Sequence, residues 1–113
     1  MPTPRLVKSL VPNPASMAPH AIAAAALLKA LAHPARLLVM CRLVEGECSV
    51  SELQPLAGLS LSALSQHLAV LRELNLVSTR RAAQTIYYAL ADGPAVGVMV
   101  ALHHAYCAAA KQP

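Results

Sequence analysis

The chain has 113 residues, enough for one small domain. Apolar residues make up 57 %, nearly all Ala, Leu and Val, and charged residues only 12 %, which excludes an intrinsically disordered chain and points to close helix packing with apolar surface left for a partner chain. Nine Lys and Arg against five Asp and Glu leave a charge of +4, which suits a polyanionic partner.

The longest apolar runs, Ala21–Leu28 and Ala95–Leu102, are eight residues each, against ~20 needed to span a bilayer. Pro2, Pro4, Pro12, Pro14 and Pro19 interrupt the region where a secretory leader would carry its apolar stretch. The expected location is therefore cytoplasmic, with no membrane partner. Cys41, Cys48 and Cys107 are widely spaced and odd in number, and there they read as thiols rather than a disulfide scaffold.

Residues 1–18 are expected to form a flexible arm, and residues 19–110 the folded domain. A first helix is predicted from Pro19 to Ala32, rich in Ala and Leu. Pro34 opens a second, Ala35–Val44, at a position where its missing N–H costs nothing. Ser49 and Glu52 have capping-box spacing and start a short third helix that stops near Gly58. Ser60 caps a fourth, running to about Asn75, whose Leu61, Leu64, Leu68 and Leu71 predict one buried stripe. Ser62, Gln66, Ala69 and Glu73 fall on its wet face. Val77–Arg81 and Thr85–Leu90 read as two strands joined by Ala82-Ala83-Gln84. Asp92 is the expected cap of a last helix that is apolar nearly all round, a face best buried against a second copy of the chain. The fold class is mainly α with a small β-hairpin. The third and fourth helices have the size and turn of a helix-turn-helix, and the hairpin would be its wing.

A helix entering the major groove needs small polar side chains at its N-terminal end. Ser60, Ser62, Ser65, Gln66 and His67 meet that need, with Gln66 able to pair with adenine through both amide atoms. Arg80 and Arg81, with Gln84 and Thr85 at the tip, suit phosphates or the minor groove. The blander alternative is a solvated helix face and an exposed loop. No Gly-rich oxyanion turn accompanies the cysteines, so an enzyme is not expected.

The segments "LAHPARL", "LSQHLAVLRELNLV" and R-x-x-Q-T-I-Y-Y resemble the ArsR/SmtB family of winged-helix repressors over roughly residues 20–107. The resemblance implies a homodimer joined by the first and last helices, and repression through operator DNA that an inducer relieves. Two positions depart from the family pattern. Leu61 stands where many relatives have a polar residue, and Ala83 where the wing turn usually has Gly.

The family's soft-metal motif C-V-C reads Ser49-Val50-Ser51 here, and its zinc set on the last helix keeps only Asp92, with Pro94, Ala105 and Ala108 at the other places. No metal or other cofactor is expected. Cys41 on the second helix and Cys107 near the end of the last resemble the paired thiols of the BigR/SqrR branch, which implies sensing of reactive sulfur species, persulfides and polysulfides, through a bridge between them. On an α-helix Cys107 would share a face with His103, His104 and Lys111, which would favour its thiolate. Cys48, after Gly46, has no matching role and is expected in a loop. The alternative is a metal- or arsenite-responsive repressor of the same family that uses cysteine thiolates.

Overall fold

The computed structural model describes residues 13–108, and most of the expected arm (residues 1–12) and Lys111 lie outside them. Asn13 caps a helical turn, Pro14–Met17, followed by a 3-10 turn, Ala18–His20, so the first helical region begins before Pro19. These lead into α1 (Ala21–Leu31). The second helix, α2 (Pro34–Val44), starts with Pro34 in its first turn, where the His33 ring accepts the Ala35 N–H through Nδ1 at 3.1 Å.

The capping box forms as expected: Ser49 Oγ accepts the Glu52 N–H, and Glu52 Oε1 accepts the Ser49 N–H. It opens α3 (Val50–Ala57), which ends at Gly58 in the left-handed region with φ 65°. Gln54 Nε2 donates to the Leu59 carbonyl and stiffens the turn. Ser60 then accepts the Ala63 N–H and starts α4 (Leu61–Glu73). Asn75, at φ 59°, ends that helix sharply and turns the chain into the sheet.

Strands β2 (Val77–Ala82) and β3 (Thr85–Leu90) form the predicted hairpin, in continuous register from Val77 opposite Leu90 to Ala82 opposite Thr85. The sequence reading missed a third strand. β1 (Cys48–Ser49) pairs with the far edge of β3, placing Cys48 opposite Tyr88 and giving the order β1-β3-β2. The last helix is α5 (Pro94–His103), continued by a π-helical turn, His104–Ala108.

Helix α2 is the hub, packed against α1, α3, α4, α5 and β3. Val39 and Met40 are fully enclosed there with Leu53, Leu64, Leu68, Leu71 and Cys48, and Met99 closes the core from α5. The fold is thus mainly helical with a small antiparallel wing. Among the described residues no single helix is long and apolar enough to cross a membrane.

Three expectations are corrected. Leu61 does not complete the buried stripe: it is 53 % exposed, because at the first turn of α4 it projects past the core that encloses Leu64, Leu68 and Leu71. Asp92 does not cap α5. Gly93 takes the cap position at φ 152°, leaving Asp92 one residue too early. Cys48 is not in an exposed loop but is a fully buried strand residue.

Candidate nucleic-acid interface and thiol pair

Helix α4 buries one side through Leu64, Leu68 and Leu71 against α2, α3 and β2. Its other side is exposed among the described residues. Ser62, Ser65 and Gln66 are exposed there, with Ser60 at the helix start, so the small polar surface expected at the N-terminal end is present. At the wing, Arg81 and Gln84 are exposed and Thr85 half-buried. A groove of about 280 Å³ runs between the two regions, lined by Ser51, Gln54, Leu61, Gln84, Thr85 and Ile86. The start of α4 and the tip of the wing therefore border one surface.

Two members of the expected contact set have partners inside the chain. His67 is half-buried, its Nδ1 accepts the Arg36 Nε–H at 3.1 Å, and its ring centre lies 4.3 Å from that of His33. Burial, then the neighbouring His33 and Arg36, lowers its pKa below the ordinary histidine value and keeps it neutral. Arg36 also donates to the Ala30 carbonyl, so one guanidinium ties α1, α2 and α4 together. Arg80 is paired with Glu47 through two hydrogen bonds of 2.7 Å. Sequence reading did not find Arg36 or Glu47 as partners, since each acts on a residue more than thirty positions away.

All three cysteines are free thiols. Cys41 is half-buried on α2, packed against the core, and Cys107 is half-buried in the π-helical turn that continues α5. Helices α2 and α5 pack directly on each other. A π-helical turn closes with i to i+5 bonds, so the α-helical spacing that would align His103 and His104 with Cys107 does not apply across His104–Ala108, and Lys111 lies outside the described residues. Cys48 is a separate case: burial pushes its thiol pKa up, away from the reactive thiolate. Among the described residues no three His, Cys, Asp or Glu side chains come together as a metal site.

Residues 33–79 match the family model described as bacterial regulatory protein, arsR family. The chain is 48 % identical over 86 residues to the biofilm growth-associated repressor of Xylella fastidiosa (strain 9a5c), covering 76 % of this chain and 75 % of that one. It is 44 % identical over 97 residues to the transcriptional activator HlyU of Vibrio cholerae, covering 86 % of this chain and 90 % of that one. Among solved structures, the transcriptional repressor BigR from Xylella fastidiosa superposes with a TM-score of 0.78 at 43 % identity, covering 85 % of this chain and 98 % of that one.

Proposed function

The chain belongs to the ArsR family of bacterial regulatory proteins, and from that premise we propose that it is a homodimeric repressor released from operator DNA when Cys41 and Cys107 are oxidised or bridged by reactive sulfur species. Family membership makes it a DNA-binding transcriptional regulator with a winged helix. The finer reading rests on the side chains.

In this reading the N-terminal end of α4 enters the major groove. Ser62, Ser65 and Gln66 face base edges there, and Ser60 meets the backbone at the rim. Arg81, Gln84 and Thr85 reach phosphates or the minor groove from the wing. His67 and Arg80 join the interface only by giving up their internal partners. Dimerisation through α1 and α5 is supported by the apolar side chains left uncovered on and beside them. Ile22 is 89 % exposed and Tyr106 79 %, and Leu28 and Val100 are more than half exposed.

One observation carries the sensor: a free, half-buried thiol sits on α2, another sits on the turn that extends α5, and the two helices are packed together. The chemistry balances with a persulfide, R–S–SH, as oxidant. One thiolate attacks its outer sulfur, giving Cys–S–SH and releasing R–S⁻. The second thiolate attacks the inner sulfur, forming the Cys–S–S–Cys bond and releasing HS⁻. Two thiols are oxidised, and the persulfide is reduced to thiol and sulfide. Tying α2 to the extension of α5 biases the spacing of the two α4 helices in the dimer, where a coupling of about 1–3 kcal/mol changes operator affinity roughly 5- to 150-fold.

The test is gel-shift titration of the full chain on its own promoter, with and without glutathione persulfide, beside intact mass spectrometry. The wild type should release DNA and gain a bridge. Cys41→Ser and Cys107→Ser should each bind DNA normally and stay bound. Release retained in both variants would discard the sensor.

A further inference from the structure

Leu61 is the residue that the buried stripe does not use. It occupies the first turn of α4, where it is 53 % exposed, and Ser65 follows it one turn later on the same border of the free face. Across the groove stands Ile86 of the wing, also exposed at 38 %. Two branched apolar side chains thus flank one opening, on the surface that otherwise presents Ser62, Ser65, Gln66 and Gln84. Isolated exposed leucines are common on protein surfaces. This one differs in place: it heads the helix whose N-terminal end reads base edges, on a face whose other members are small and polar.

Of the four bases only thymine offers an apolar group, its C5-methyl, at the floor of the major groove. A serine or glutamine gains nothing from that methyl, whereas a leucine buries it. We propose that Leu61 is a specificity-determining residue that selects thymine at one position of each half-site by packing against its C5-methyl. Ile86 walls the same groove from the wing side. The inference rests on the DNA-reading orientation of α4 proposed above and adds the base that this departure from the family pattern selects.

The test uses duplexes selected by the wild-type chain from a random library. Each thymine of a selected duplex is then replaced singly by deoxyuridine, which pairs identically and lacks only the methyl. Burying one methyl is worth about 0.8 kcal/mol, close to fourfold in Kd. The wild type should lose about fourfold at one thymine per half-site and little elsewhere. Leu61→Ala should bind the thymine and deoxyuridine duplexes equally at that position, and Leu61→Gln should do the same while restoring a polar side chain. A wild type indifferent to every replacement overturns the inference, and that arm needs no variant to fold. So does Leu61→Ala or Leu61→Gln retaining the wild-type loss. Failure of the wild type to select any duplex is a different result, because it removes the DNA-reading orientation itself and this inference with it.

Discussion

Arg80 and Glu47 clasp each other across the sheet, Nε to Oε2 and Nη2 to Oε1, both at 2.7 Å, with the guanidinium carbon 4.5 Å from the centre of the Tyr87 ring. The order β1-β3-β2 explains the geometry. Glu47 directly precedes β1, Arg80 lies on β2 opposite Tyr87 of β3, and the pair reaches from one edge strand to the other over that ring. The hydrogen bonds from Arg80 hold the Glu47 carboxyl below the usual carboxylate range. Whatever the pair contributes is present above that range and lost as pH falls through the lowered value. Both side chains remain partly in water, so the contribution to stability is small. The larger consequence concerns the proposed DNA contact: if the wing meets DNA as proposed, Glu47 occupies a cation that it would otherwise offer to a phosphate. Glu47→Gln should raise affinity for non-specific duplex DNA and steepen the dependence of log K on log salt by about one phosphate contact. A salt slope equal to that of the wild type would mean Arg80 stays out of reach of DNA even when unpaired.

His67 leads to a prediction about acid. Its Nδ1 can accept from Arg36 only while the ring is neutral at that atom, and the groups facing it, Arg36 and His33, are cationic or able to become so. Burial is the first cause that lowers its pKa in the fold. In the unfolded chain the ring titrates near the ordinary value of about 6.5. Below that pH the unfolded state binds a proton that the native state refuses. Stability therefore falls as pH drops through about 6.5 toward the lowered native value, and levels off below it. Thermal melts from pH 7.5 down to 5 should show a declining Tm. His67→Gln keeps an acceptor for Arg36 but does not titrate, so its Tm should decline less over that interval. Equal slopes for the two proteins would assign the acid sensitivity to other groups.

What could be read in advance was local. Ser49 with Glu52, Ser60 with Ala63, and Gly58 are all settled within a few residues of chain, and each helix boundary they set is found where expected. The hairpin was legible for the same reason. The misses are non-local. Strand β1 is two residues long and exists because β3 lies beside it, a pairing that no period in the sequence announces. Leu61 keeps the spacing of the stripe, but burial depends on what stands opposite, and among the described residues none encloses its side chain as the core encloses Leu64. Arg36, Glu47 and their partners meet only once the elements are folded together. Of the contact set, the exposed Ser62 and Gln66 followed from helix period alone, whereas the exposure of Ser65, beside the apolar stripe, and the internal engagement of His67 and Arg80 did not.

Cys48 separates a structural thiol from the pair on α2 and the α5 extension. It is 0 % exposed, in the core opposite Tyr88. Cys48→Ser places a hydroxyl among apolar side chains and should destabilise the fold by about 1–3 kcal/mol in urea or thermal unfolding. Burial also raises its thiol pKa, which lowers the thiolate fraction. Iodoacetamide should accordingly label Cys41 and Cys107 well before Cys48 in the native protein, and all three at similar rates in denaturant. Early labelling of Cys48 under native conditions would show that β1 opens readily from the edge of β3.

Ala83 tests how much the wing gives up for its turn. It sits at φ 56°, while the next residue, Gln84, has no positive φ, and Ala82 and Thr85 still pair on either side. That pattern is of the type II′ kind, in which Gly is usual at the first central position. The departure from Gly therefore leaves the hairpin closed: the wing keeps its register, and the alanine bears the strain of a left-handed conformation, about 1–2 kcal/mol for an L-residue. Ala83→Gly removes that strain but makes the unfolded chain more flexible, an opposing effect of about 0.4–1 kcal/mol. The net expectation is a stabilisation of between zero and ~1.6 kcal/mol, read as a higher denaturation midpoint with an unchanged m-value. Because the turn carries Gln84 and Thr85 beside the groove that Leu61 and Ile86 line, the same variant should bind operator DNA with unaltered base preference. A lowered midpoint would mean that the glycine costs more in the unfolded chain than the turn recovers, and that the alanine is not under strain.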